Sequence, residues 1–194
     1  SMSVTAKSFS FAFWARRRTV ATRQMVLWHE SPHSNLHIGF VENDAFVFSF
    51  TNIGWDTPNG LQTPNTYPHD LNVWVHWAGT YRLETGERVI YRNGRPIAAD
   101  TVASGYQGGN VDLHISCGSR DNPSWATNGA YHGSLTDLYV LTRTLAPTEV
   151  ASITRDMHLS LQDALVLHFT FESLFGQEMH ARDLSTNNNT GLLN

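Results

Sequence analysis

Residues 72–98, NVWVHWAGTYRLETGERVIYRNGRPIA, carry bulky side chains with a period of two. Val73, Val75, Trp77, Gly79 and Tyr81 occupy one phase, and Trp74, His76, Ala78 and Thr80 the other, as on a pleated strand. The polar turn Glu84-Thr85-Gly86-Glu87 leads to a partner, Arg88 to Arg92, and Asn93-Gly94 is a hairpin signal into a third strand, Arg95 to Val102. Three antiparallel strands cannot bury an apolar face by themselves, so this meander requires a second layer.

The rest of the chain supplies that layer. Phe9-Ser10-Phe11-Ala12-Phe13-Trp14-Ala15 alternates bulky and small residues before Arg16-Arg17-Arg18. Met25 to His29, Leu36 to Val41 and Phe46 to Phe50 follow, separated by turn residues at 31–35 and 42–44, and Leu113–Cys117, Ser134–Leu141 and Leu165–Phe171 complete the strands. Pro147, Glu149, Val150 and Ile153 mark one short helix near 147–155. The reading is an all-β, two-sheet antiparallel sandwich, in which Trp74 or Trp77, Tyr81 and Tyr91 pack between the sheets. A length of 194 residues suits one such domain.

Charge narrows the partners. With 13 Lys+Arg against 17 Asp+Glu the formal charge is −4, which offers no general attraction to nucleic acid or to an anionic membrane. No apolar run approaches the roughly 20 residues of a spanning helix, so no membrane insertion is expected. Cys117 is the single cysteine, which excludes a disulfide or a thiolate zinc site within one chain. His29, His33 and His37 recur every fourth residue, but a proline-containing turn separates them and no helical metal face results. Ser1-Met2 reads as an expression-vector remnant, with 1–8 a leader. The sequon Asn188-Asn189-Thr190 matters only in a secreted chain.

Loops 51–71, 104–112 and 118–133 are rich in Asn, Gly, Pro and Ser yet hold Trp55, Tyr67, Tyr106, Trp125 and Tyr131. Rings against the apolar face of a sugar, with amides bonding its hydroxyls, make these five the ligand-binding candidates, and the same composition suits contact with a protein surface. Arg16, Arg17, Arg18 and Arg23 form a candidate anion site, because a guanidinium fork matches sulfate or carboxylate.

Four blocks in order, FSFAFWARR, WVHWAGTYRLETGERVIYRNGRPIA, DLHISCGS and YHGSLTDLYVLTRTLAPTEVASI, resemble the laminin-G-like domains of the concanavalin-A-like lectin and glucanase superfamily. The resemblance implies a jelly roll, a module of a larger multidomain chain, and an extracellular or cell-surface setting with roles such as cell adhesion. In many relatives a segment like ALVLHFTFESLFGQEMHARDLSTNNNTGLL stands first, whereas here it stands last. The expected domain is therefore 9–172, with 164–172 returning to the place of the missing first strand and 173–194 a turn-rich tail; the start of a further repeat is the alternative.

Relatives that bind calcium imply rim ligands, for which Asp56, Asp112, Asp121 and Asn122 are the candidates. Relatives that cut glycans use paired carboxylates, but Glu42-Asn43-Asp44 lacks the further Glu of that pattern, and Asp137 has no second carboxylate near it in sequence. The expected function is a non-enzymatic module that recognises a glycan or a protein surface. A structural interaction domain without a small ligand is the alternative, and a carbohydrate-active enzyme ranks third.

Overall fold

The computed structural model describes residues 4–29, 35–51, 60–108, 113–116, 129–156, 161, 163–175 and 180–192. Phenylalanine alternation dictates the first strand: in β1 (Phe9–Arg17) Phe9, Phe11 and Phe13 are each no more than 1% exposed and point into the space between two sheets. Opposite them, β2 (Gln24–His29), β3 (Asn35–Phe40) and β4 (Phe46–Thr51) contribute Val26, Ile38, Phe40, Phe46, Phe48 and Phe50 to the same core. Phe11 meets Phe48 edge-on, with ring centroids 5.0 Å apart.

The remaining strands are β5 (Gly60–Gln62), β6 (Val75–Tyr81), β7 (Glu87–Arg92), β8 (Arg95–Thr101), β9 (His114–Ile115), β10 (Gly133–Leu141), β11 (Leu165–Phe175), β12 (His180–Asp183) and β13 (Thr190–Leu192). Among the described residues one sheet has eight strands in the order β13-β12-β11-β10-β1-β6-β7-β8, and the other five in the order β5-β4-β3-β2-β9. Every strand pair is antiparallel, as expected of a jelly-roll sandwich. The Asn93-Gly94 turn has φ of 49° and 76°, the positive pair that lets a two-residue hairpin follow the strand twist.

Pairing decides faces. Trp77 and Tyr81 lie between the sheets, Trp77 stacked on Phe46 at 4.3 Å. Tyr91 does not: it pairs with Ala78, and cross-strand partners share a face, so its ring lies on the outer side of the large sheet. There α1 (Pro147–Arg155) lays Val150 and Ile153 over Ala12, Ala78, Tyr91, Tyr139 and Leu141. Trp74 is 40% exposed just before β6.

β11 joins the large sheet beside β10 and sends Leu167 and Phe169 into the core. The stretch 173–194, expected as turns, contains β12 and β13, because the Asp183 carboxylate organises the chain between them. It accepts hydrogen bonds from the backbone N–H of His168, Ser185 and Asn189 and from the Ser185 hydroxyl and the Asn189 amide. No described helix is long and apolar enough to cross a membrane.

Candidate functional site

The expected binding residues are dispersed. Trp55, Trp125, Asp56, Asp112, Asp121 and Asn122 lie outside the described residues. Tyr106 and Tyr131 are 1% and 6% exposed members of the core, so neither ring is offered to a ligand. The Tyr106 hydroxyl is hydrogen-bonded to His29 Nδ1, and burial pushes both phenols above the usual range. Loop composition placed these rings outside the strands, but closing the ends of a sandwich needs large apolar plugs. Tyr67 is half-buried, edge-on to Trp77 at 5.3 Å and covered by the Arg92 guanidinium at 4.8 Å.

The arginine cluster is split by the pleat. Arg17 turns inward, where its Nη1 donates to Asp44 Oδ1 at 2.8 Å and its guanidinium lies 4.1 Å from the Phe40 ring. The Asp44 turn is therefore a buried ion pair rather than a solvated one. Arg23 pairs with Glu42 at 2.9 Å. Arg18 is exposed past the strand end, and Arg16, on the outer face, stands over the Trp74 ring at 5.7 Å. Arg17 thus parts from Arg16 because residues adjacent in a strand point to opposite faces, and Arg23 is taken up by its ion pair with Glu42.

Where α1 stops covering the outer face, a polar and aromatic cluster begins. Trp14 pairs with His76 on β6 and with Thr136 on β10, and its ring meets the imidazole edge-on at 5.4 Å. His76 is fully buried. Its Nδ1 lies 2.9 Å from Thr154 Oγ1, whose proton goes to the Val150 carbonyl, so the imidazole donates from Nδ1 and Nε2 is left as a bare acceptor. Burial holds the His76 pKa at about 4, against the opposing pull of Asp137, which keeps the ring neutral near pH 7.

Asp137 reaches the cluster through a bulge. The β1–β10 register shifts between Ala12↔Tyr139 and Trp14↔Thr136, and Asp137 takes a positive φ of 50° there. Its Oδ1 lies 3.8 Å from His168 Nε2, and His168 stacks on Tyr139 at 4.0 Å. Trp14 Nε1, Arg16 Nε, His76 Nε2 and His168 Nε2 are all buried with no hydrogen-bond partner among the described residues. Buried polar atoms are ordinarily paired, so these four are exceptions beneath the face, while the exposed Trp74 ring and the partly exposed Trp14, Arg16, Ser134, Thr136 and His168 side chains are what the face offers to a ligand.

Several acidic groups are committed elsewhere: Asp44 to Arg17, Asp70 to Arg92, Asp100 to Arg88 and Glu149 to Arg143. Among the described residues no group of three or more His, Cys, Asp or Glu side chains is arranged to hold a metal.

Residues 1–151 match a laminin-G-type family described as the concanavalin A-like lectin/glucanases superfamily. The chain belongs to this family. No curated protein matches the sequence. Among solved structures, this laminin-G-type domain is similar to a candidate carbohydrate-binding protein from Bacteroides ovatus (TM-score 0.74, 16% identity, 96% of this chain and 51% of that one). It is also similar to the CBM40 of a Ruminococcus gnavus IT-sialidase bound to α2,6 sialyllactose (0.59, 12%, 78% and 85%). A third is a heptameric SAP-like pentraxin from Limulus polyphemus (0.57, 14%, 76% and 70%). At these identities the likeness is one of fold, and the laminin-G-type domain spans about half the length of the Bacteroides protein.

The outer-face cluster escaped the sequence reading because its residues sit inside regular strands. Trp14, Trp74 and His76 fall on the phase opposite to Phe13 and Trp77, a signal legible only once the inward phase is known.

Proposed function

We propose that this domain is a non-enzymatic carbohydrate-binding module whose site is the uncovered corner of the large sheet at Trp14, Arg16 and Trp74. The observation that carries this reading is the 40% exposed Trp74 ring with the Arg16 guanidinium 5.7 Å above it, beside the partly exposed Ser134 and Thr136. An exposed indole stacks on the apolar face of a sugar, and the partly exposed Arg16, Ser134 and Thr136 side chains beside it bond its hydroxyls. Arg16 and Arg18 form no ion pair among the described residues, which favours a glycan bearing a carboxylate or sulfate. The carbohydrate-binding neighbours support the same reading, and the half-length match supports a place in a larger chain. Calcium enters no step of this reading, so calcium added to chelator-treated protein serves as a control.

A second reading rests on Leu71, Val73 and Trp74, which are 38%, 51% and 40% exposed within one short segment and suit a protein partner. Binding to an array of neutral, carboxylated and sulfated glycans separates the two. Trp74→Ala is expected to weaken glycan binding by about tenfold or more while the thermal midpoint stays unchanged. Undiminished binding by the variant would reject the site, and silence across the array would shift the reading to a protein partner.

A further inference from the structure

The uncovered face does not end at Trp74. It runs from Trp74, just before β6, past Trp14 and Arg16 on β1 to their partners Thr136 and Ser134 on β10, and on to His168 on β11, which pairs with Tyr139 and lies 3.8 Å from the bulged Asp137. β12 continues it. Ala181 is a core residue, so alternation turns Arg182 outward, and Leu184, whose N–H donates to the His168 carbonyl at 2.8 Å, follows past the strand end. Trp74 and Leu184 are 40% and 43% exposed at the two ends, Arg182 is exposed, and Arg16, Trp14, Ser134, Thr136 and His168 are partly exposed between them.

The strip therefore crosses five adjacent strands of the sheet. Four steps of about 4.8 Å make it roughly 19 Å long. That is far longer than one sugar ring. Partly exposed or exposed polar side chains, Arg16, Ser134, Thr136, His168 and Arg182, are distributed along the strip rather than gathered at one end. A terminal monosaccharide could meet only those nearest Trp74, whereas a chain laid across the strands meets them in succession.

We infer that the site takes the interior of a linear glycan chain, several residues long and running perpendicular to the strands, rather than a single terminal sugar. This rests on the carbohydrate-binding reading above and names the ligand class for it. Trp74 stacks one end of the chain, the Arg16 guanidinium reads an acidic substituent near that end, and Leu184 with the Arg182 stem contacts the other end.

The test is calorimetric titration of the full chain with length ladders of arabino-, xylo- and galacturono-oligosaccharides, from the monosaccharide to the hexasaccharide, with sialyllactose as the short terminal probe. For the ladder that binds, affinity is expected to climb about tenfold or more between the disaccharide and the tetrasaccharide and then level off. An R182A/L184A double variant is expected to lose that gain while binding the disaccharide like the parent. Trp74→Ala is expected to weaken every length. Equal affinity for short and long probes, tightest binding to sialyllactose, or parental binding of the long probes by R182A/L184A would overturn the chain-spanning site while leaving a glycan site at Trp74 standing. Binding of no probe would overturn the carbohydrate reading together with this inference.

Discussion

At the scale of single residues, burial decides what each charge does. Arg17 and Asp44 form an ion pair with side chains 2% and 8% exposed, and Arg17 also donates to the Tyr67 carbonyl. Asp44→Asn leaves a guanidinium buried without its counter-charge, and the expected loss is about 3–5 kcal/mol in urea unfolding. A loss under about 1 kcal/mol would show that the Phe40 ring and the Tyr67 carbonyl suffice to hold the cation. Two histidines make stability depend on pH. Burial holds His37 at about 3 and His76 at about 4, below the ordinary 6.5 that the unfolded chain regains. Between pH 6.5 and these values the unfolded chain takes up protons that the folded chain refuses. Their contribution is thus complete above pH 6.5 and declines with acid, for His76 down to about pH 4 and for His37 down to about pH 3, by at most about 1.4 kcal/mol per pH unit each. Thermal midpoints from pH 7 to pH 4 should fall, and His37→Gln should flatten the fall; an equally steep variant would assign the acid sensitivity to His76 and the carboxylates.

At the scale of elements, close backbone approach sets limits that composition does not show. Gly39 pairs with Met25, and a Cβ there would collide with the Gln24 carbonyl oxygen and the Met25 backbone. Gly39→Ala must therefore push β2 from β3, at an expected cost of about 1–3 kcal/mol; an unchanged midpoint would mean that the neighbouring register shift absorbs the methyl. Gly79 gives room to the Phe11 ring in the same way, but that neighbour is a side chain. The outer helix rests on the small Ala12 and Ala78, and Ile153→Ala should cost about 2–5 kcal/mol by opening the contact with Tyr91 and Tyr139. The main strands and the helix were legible because two-residue alternation and the Pro147–Ile153 pattern are local signals. β12 and β13 were not, since a run of Asp, Ser and Asn reads as turn until the Asp183 carboxylate is seen tying it to the backbone of β11. The bulge at Asp137 was equally hidden, because a positive φ inside a strand arises from register against a neighbour.

For the whole molecule, the part of the chain beyond the matched family residues completes the larger sheet. The match ends at residue 151, inside α1, while β11 pairs with β10 and buries Leu167 and Phe169. A chain shortened to residue 156 would leave β10 as an open edge above uncovered Leu138 and Val140. Self-association on gel filtration and a lowered thermal midpoint are expected; an unchanged midpoint would make 161–192 a separate unit. The residues by themselves determined the strand alternation, the Asn93-Gly94 hairpin, the short helix and the family resemblance, since each is written within a few neighbouring positions. Only the tertiary structure decided which phase of each strand faces water. It sent Tyr106 and Tyr131 inward, split Arg16 from Arg17, and aligned Trp14, Trp74, His76 and His168 on one face, because cross-strand pairing joins Trp14 to His76, 62 positions on, and to Thr136, 122 positions on, and no local pattern records it.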